Sequence, residues 1–144
     1  MESSQGVLWV GTWYGGLARF NKETGQFRYY FGEGDTLTIP RIRTLFQRTA
    51  NSFYLGSDDG LYTFNTTTGE CLPTDDEQNK ESIYACYQDR EGGIWIGTYF
   101  SGVSYLSPKH KDIEWYYPNG TENSLSGNVI SQFCEDPDGN IWIA

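Results

Sequence analysis

Apolar residues in this chain fall in short runs broken by glycine and polar turn formers, and one run keeps returning. Val7-Leu8-Trp9-Val10-Gly11-Thr12 recurs as Ile94-Trp95-Ile96-Gly97-Thr98, as Ile141-Trp142-Ile143-Ala144 and, more loosely, as Phe53-Tyr54-Leu55-Gly56-Ser57. The aromatic anchors Trp9, Tyr54, Trp95 and Trp142 stand 45, 41 and 47 residues apart, a spacing that suits four short strands per repeat. Ile42, Ile83 and Ile130 each precede an anchor by 12 residues, which fixes the register a second time. Turn-forming runs separate the two elements: Arg48 to Ser52, Asp89 to Gly93 and Asp136 to Asn140. The last two are rich in residues that accept positive φ or bond back to their own backbone.

A glycine and an aliphatic residue follow each of the first three anchors, as Gly16-Leu17, Gly60-Leu61 and Gly102-Val103. They open a third strand, through Phe20, Phe64 and Leu106. Asn21 to Gly25 and Asn65 to Gly69 read as hairpins into a fourth strand near Gln26 to Tyr30 and Glu70 to Leu72. The third copy puts Ser107 to Asp112 in the hairpin's place, ahead of a strand from Ile113 to Tyr117.

Lettered A to D, the isoleucine strand is A, the anchor strand B, the Gly-aliphatic strand C and the last D. The pattern predicts an all-β fold, a fragment of a β-propeller made of repeated four-stranded antiparallel blades. It divides into a partial blade at 7–31 (B-C-D), blades at 41–72 and 82–118, and a partial blade at 129–144 (A-B). Strand B is apolar almost without alternation, which implies burial on both faces, as stacking between neighbouring blades supplies. Gly11, Gly56 and Gly97 are expected to let an adjacent backbone come close. Starting and stopping at strand B, the chain reads as a stretch of a longer protein, and its uncovered blade faces predict self-association.

Composition agrees with many short strands and tight turns: 17% aromatic residues and 17 glycines spread along 144 residues. A net charge of −9 disfavours contact with nucleic-acid phosphates. No apolar run approaches the roughly 20 residues of a membrane-spanning helix, and the N-terminus does not resemble a secretion signal. Cys71, Cys86 and Cys134 form no CxxC pair and have no histidine nearby, so neither zinc nor a disulfide framework is expected. Counted from the strand A isoleucine, Cys86 and Cys134 should point to opposite faces, and buried free thiols are the simpler reading.

Ile83 to Asp89, Gly92 to Thr98 and Gly102-Val103, with Trp9 to Thr12 and Gly15-Gly16-Leu17, resemble the two-component regulator propeller repeat. The middle copy departs from it at Tyr54 and Ser57. The resemblance implies the extracytoplasmic, periplasmic sensor of a two-component histidine kinase, often a hybrid one, that responds to a carbohydrate. It further implies more blades in the parent chain, membrane anchoring of that parent, and signalling output outside these residues.

Propeller ligands sit where the B-to-C and D-to-A loops gather. Here the B-to-C loops present Trp13 and Tyr14, Asp58 and Asp59, and Tyr99 and Phe100, while Arg41 and Arg43 flank Ile42 at the same end. Flat aromatic faces beside hydrogen-bonding groups suit sugar rings. The same aromatics could instead cap the gap between blades, and Asp58 and Asp59 could serve only the turn before Gly60. Asp136 to Asn140 resembles a calcium loop but lacks its later ligands, so a turn is expected. His110, between Lys109 and Lys111, is read as a solvated side chain. Asn65-Thr66-Thr67 and Asn119-Gly120-Thr121 match the glycosylation pattern, which would be idle in a bacterial protein. No catalytic residues, metal or cofactor are expected, so the sensor reading leads. A propeller lyase, glycosidase or quinone-dependent dehydrogenase and a non-catalytic interaction scaffold are the alternatives.

Overall fold

Two-residue periodicity and closely spaced turns leave no stretch long enough to hold an α-helix, and none forms among the described residues of the computed structural model: 1–32, 34–39, 41–74, 80–109 and 113–144. His110 lies outside them. The strands are β1 (Leu8–Gly11), β2 (Leu17–Phe20), β3 (Phe27–Tyr30), β4 (Thr44–Thr49), β5 (Ser52–Ser57), β6 (Gly60–Asn65), β7 (Cys71–Pro73), β8 (Ile83–Gln88), β9 (Ile94–Thr98), β10 (Val103–Leu106), β11 (Ile113–Tyr116), β12 (Phe133–Glu135) and β13 (Ile141–Ile143). They pair antiparallel in chain order, as sheets β1-β2-β3, β4-β5-β6-β7, β8-β9-β10-β11 and β12-β13. The all-β, four-stranded antiparallel expectation holds.

The apolar residues make three slabs, one between each pair of successive sheets, instead of a single centre. Trp9 and Leu17 of the first sheet meet Phe53, Leu55 and Phe64 of the second. Tyr54 and Leu61 meet Ile83 and Ile96, and Ala85 and Val103 meet Ile130 and Phe133. Alternation along β5 thus sends Phe53 and Leu55 one way and Tyr54 the other, which explains why a B strand is apolar throughout.

Gly11, Gly56 and Gly97 stand against the isoleucines of the following sheet. A Cβ on any of them would lie 2.6 to 2.7 Å from Cγ2 of Ile42, Ile83 or Ile130 respectively. The neighbour that excludes a side chain is therefore mainly the isoleucine, joined at Gly56 by the Thr44 methyl of its own sheet at 2.5 Å, and not the backbone the sequence suggested. Only Ile83 lies within its strand. Ile42 and Ile130 precede β4 and β12, because their backbone N–H groups donate across to the carbonyls of Thr12 and Thr98 in the preceding sheet (2.9 Å each).

Polar groups tie the sheets at the opposite end. Gln47 and Ser4 exchange two hydrogen bonds of 2.7 and 2.9 Å. Arg90 bridges to Glu135 at 3.1 Å, with the Glu135 side chain 6% exposed. The A-to-B turns are closed by Asp89 and Asp136, whose carboxylates also accept from the indoles of Trp95 and Trp142 at 2.9 Å. Where Tyr54 replaces tryptophan, Arg48 takes the aspartate's position and lies 5.4 Å over the tyrosine ring. The first sheet has a partial A edge as well: Met1 exchanges two backbone hydrogen bonds with Trp9, and Glu2 bridges Leu8.

All three cysteines are free. Burial pushes the Cys71 and Cys86 thiols up to about 12. Cys134 is exposed instead of buried: it is paired with Trp142 on the face of β12-β13 that no sheet covers. Cys86 packs toward the second sheet, so the two thiols do face opposite ways.

Candidate functional site

The loops from each B strand to its C strand share one brace. The Thr12 hydroxyl donates to the Gly16 carbonyl and accepts from the Gly15 N–H, both at 2.9 Å. Thr98 does the same with Gly102 (3.0 Å) and Ser101 (2.8 Å), and Ser57 with Gly60 and Asp59 (3.1 Å each). A hydroxyl three residues after each anchor thus fixes a tight loop. The residues next to it, Trp13 and Tyr14 or Tyr99 and Phe100, are thrown outward: Trp13, Tyr14 and Phe100 are 55, 71 and 72% exposed.

Arg41 and Arg43 enter β4 beside these loops and converge on one carboxylate. Arg41 Nη1 reaches Asp58 Oδ2 at 2.9 Å, and Arg43 Nε reaches Asp58 Oδ1 at 2.7 Å. The Arg43 bond leads in holding the Asp58 carboxyl below its ordinary value, against the opposing pull of partial burial. Both guanidiniums are raised, mainly by their bonds to Asp58. Arg41 adopts φ 52°, a left-handed conformation rare for a residue with a side chain, and its N–H donates to the Trp13 carbonyl at 3.0 Å.

Aromatic rings frame the pair. Arg43 lies 5.2 Å from the Trp13 ring centroid and 4.4 Å from that of Tyr84, while Arg41 lies 5.4 Å from Trp13 and 5.9 Å from Tyr14. Tyr84 stacks on Tyr99 with centroids 4.9 Å apart, and Tyr99 meets Phe100 edge-on at 4.4 Å. One continuous surface therefore runs Tyr14, Trp13, Arg41 and Arg43 with Asp58, Tyr84, Tyr99, Phe100. Beyond Phe100 a cleft of about 730 Å³ is lined by Glu81, Ser101, Trp115, Tyr117 and Asn128.

Seven of the eight residues expected from sequence join this surface. Asp59 does not: it is exposed and completes the turn, its N–H donating to the Ser57 hydroxyl. Asp58 combines the turn with an ion pair to both arginines, whereas the sequence posed only a turn or a ligand contact. Tyr84 was not foreseen. It sits at the bulge between Ile83 and Ala85, outside the β8–β9 pairing register, and a bulge re-aims a side chain that alternation would send elsewhere. A signal existed, since Tyr84 follows the repeat isoleucine as Arg43 does. Trp115 and Tyr117 were likewise read only as strand residues. Asp136 is occupied as a turn former, accepting from the backbone of Asp138 and Asn140 at 3.0 and 2.9 Å. Among the described residues no three His, Cys, Asp or Glu are gathered as a metal set.

Residues 77–100 and 124–144 match the two component regulator propeller family. No curated protein matches the chain. Among solved structures it is similar to the extracellular domain assigned to a one component system of B. thetaiotaomicron, at a TM-score of 0.80 and 20% identity over 99% of this chain and 19% of that one. The extracellular domain of a hybrid two component system from the same organism gives 0.60 and 19%, over 99% and 24%. Virginiamycin B lyase from Staphylococcus aureus gives 0.69 and 11%, over 99% and 46%. The chain thus spans about a fifth to a quarter of the extracellular domains it resembles, and at these identities the likeness shows the fold.

Proposed function

We propose that this chain, which carries the two-component regulator propeller repeat at residues 77–100 and 124–144, is a ligand-binding segment in the extracytoplasmic sensor of a two-component histidine kinase and that its ligand is a carbohydrate. The observation that carries the reading is the continuous aromatic and arginine surface from Tyr14 to Phe100. Sugar rings present apolar C–H faces and polar edges, and a ring laid on Trp13 or Tyr99 would meet guanidinium donors at its rim. The extracellular sensor domains of B. thetaiotaomicron share the fold and support the same assignment, with remaining blades, a membrane anchor and a kinase supplied by the parent chain. The proposed part played by these residues is recognition, not catalysis. Fold likeness to a lyase at 11% identity carries no chemistry across.

Titration calorimetry of the full chain against galactose-, xylose- and uronate-based trisaccharides tests the proposal. At least one should bind, and Trp13→Ala and Tyr99→Ala should each weaken it about tenfold or more while the thermal transition is retained. Binding that ignores both substitutions would place the ligand elsewhere, and no binding by any of the three would overturn the carbohydrate reading.

A further inference from the structure

The charge on this surface runs against the charge of the chain. Overall the protein carries −9, yet at the centre of the aromatic surface two guanidiniums share a single carboxylate, which leaves one net positive charge. Each guanidinium has five N–H donors, and Asp58 takes one bond from each, so donors remain for an incoming anion. Arg43 is held between the rings of Trp13 and Tyr84, and Arg41 is held at its backbone by Trp13 and at its guanidinium by Asp58. The pair is therefore positioned before any ligand arrives, which lowers the ordering cost of binding. Asp59 makes no ion pair with either arginine, and its N–H donates to the Ser57 hydroxyl within the turn. Beyond Phe100 the polarity reverses, where Glu81 lines the aromatic cleft with Trp115 and Tyr117.

We infer that the site takes an acidic sugar, its anionic group at Arg41 and Arg43 and the neighbouring ring, uncharged, toward Phe100. This rests on the carbohydrate reading above and adds the charge and the direction of the ligand. Guanidinium pairs well with planar carboxylates and also with sulfate oxygens. The shared chemistry is an anionic substituent on a sugar ring, and uronic acids and sulfated sugars are its two sources.

The test compares four trisaccharides of equal length against the full chain: a galacturonate trimer, its methyl ester, a sulfated galactose trimer and plain galactotriose. The inference expects the uronate, the sulfated sugar or both to bind at least about tenfold tighter than their uncharged counterparts, and the preference to shrink as salt rises. Arg41→Gln should remove most of that preference. Arg43→Gln should remove it too, but Arg41 is the more exposed of the two (43% against 18%), so its variant keeps the test valid if Arg43→Gln fails to fold. Lys109→Gln, which removes an exposed charge paired with Glu91, should leave the preference intact. Equal binding of charged and uncharged sugars, dependent on Trp13 and Tyr99, would overturn the acidic-ligand inference and keep the carbohydrate reading. No binding of any trimer would overturn both, and a charge preference untouched by Arg41→Gln would overturn the assignment to this arginine pair.

Discussion

A single glycine per B strand sets how closely two sheets approach. At Gly97 a Cβ would lie 2.6 and 2.9 Å from Cγ2 and Cβ of Ile130 and 3.1 Å from the Phe133 ring. Gly97→Ala should therefore destabilise by about 1–3 kcal/mol, the usual cost of overpacking. Ile130→Ala removes that Cγ2, with Cγ1 and Cδ1, from a 3% exposed side chain and should cost about 2–5 kcal/mol alone. Combined with Gly97→Ala it should cost less than the sum, because it vacates space the new methyl needs; strict additivity in denaturant midpoints would contradict the contact. The glycine was legible in the sequence by its fixed place after each anchor. Its partner was legible only as a second, separate periodicity, since nothing local says that the isoleucine of one repeat covers the glycine of the repeat before. Asp136 is a second residue whose setting is measurable. Hydrogen bonds, first from Asn140 and then from the Trp142 indole, hold its carboxyl down at about 2, against 3.8 for an unperturbed aspartate. A depressed folded-state value means that its contribution is complete above about pH 3.8 and is lost as pH falls through 2. Asp136→Asn does not titrate, so its thermal midpoint should lie below that of the wild type at pH 6 and the gap should close toward pH 2.

Elements carry the candidate site by a device each repeat shares. The hydroxyl of Thr98, 1% exposed, accepts from the Ser101 N–H and donates to the Gly102 carbonyl. Thr98→Val keeps the shape but leaves that N–H and carbonyl without the hydroxyl, which should cost about 1–3 kcal/mol. Thr98→Ser, the residue the middle repeat uses at Ser57, should restore most of the loss. Equal midpoints for the valine and threonine proteins would show that the loop is held by other means. The place of these loops was readable from the Gly-Thr before and the Gly-aliphatic pair after them, but whether their aromatics cap the gap between sheets or face outward was not, because a sequence does not show how far the next sheet reaches. The arginine pair was half readable: Arg41 and Arg43 flank a landmark isoleucine, but that both reach one carboxylate depends on the turn presenting Asp58, and not Asp59, to them. Tyr84 was hidden by a bulge, which breaks the alternation on which every strand-based inference relies.

On the scale of the whole molecule, burial of the repeat anchors ends with the last sheet. Trp9 and Tyr54 are 3 and 8% exposed because a sheet covers each, whereas Trp142, in the same position on β13, is 65% exposed beside Cys134. The first sheet is open on its other side, where the register places Leu8, Val10, Phe20, Phe27 and Tyr29 on one face. Phe27 and Tyr29 are 47 and 63% exposed. These two faces are what successive sheets elsewhere in the chain press together, so they complement one another and not themselves. Contact between copies should therefore be head to tail, and such contacts grow until a ring closes. Light scattering of the purified chain should show mass rising with concentration. Trp142→Arg and Tyr29→Arg, each spoiling one face, should each suppress it. An equimolar mixture of the two variants distinguishes head-to-tail contact from nonspecific clustering, since each variant retains the face the other lacks: the mixture should form dimers and stop there. A mixture that stays monomeric, or wild-type protein that stays monomeric at high concentration, would show that these faces do not recognise each other.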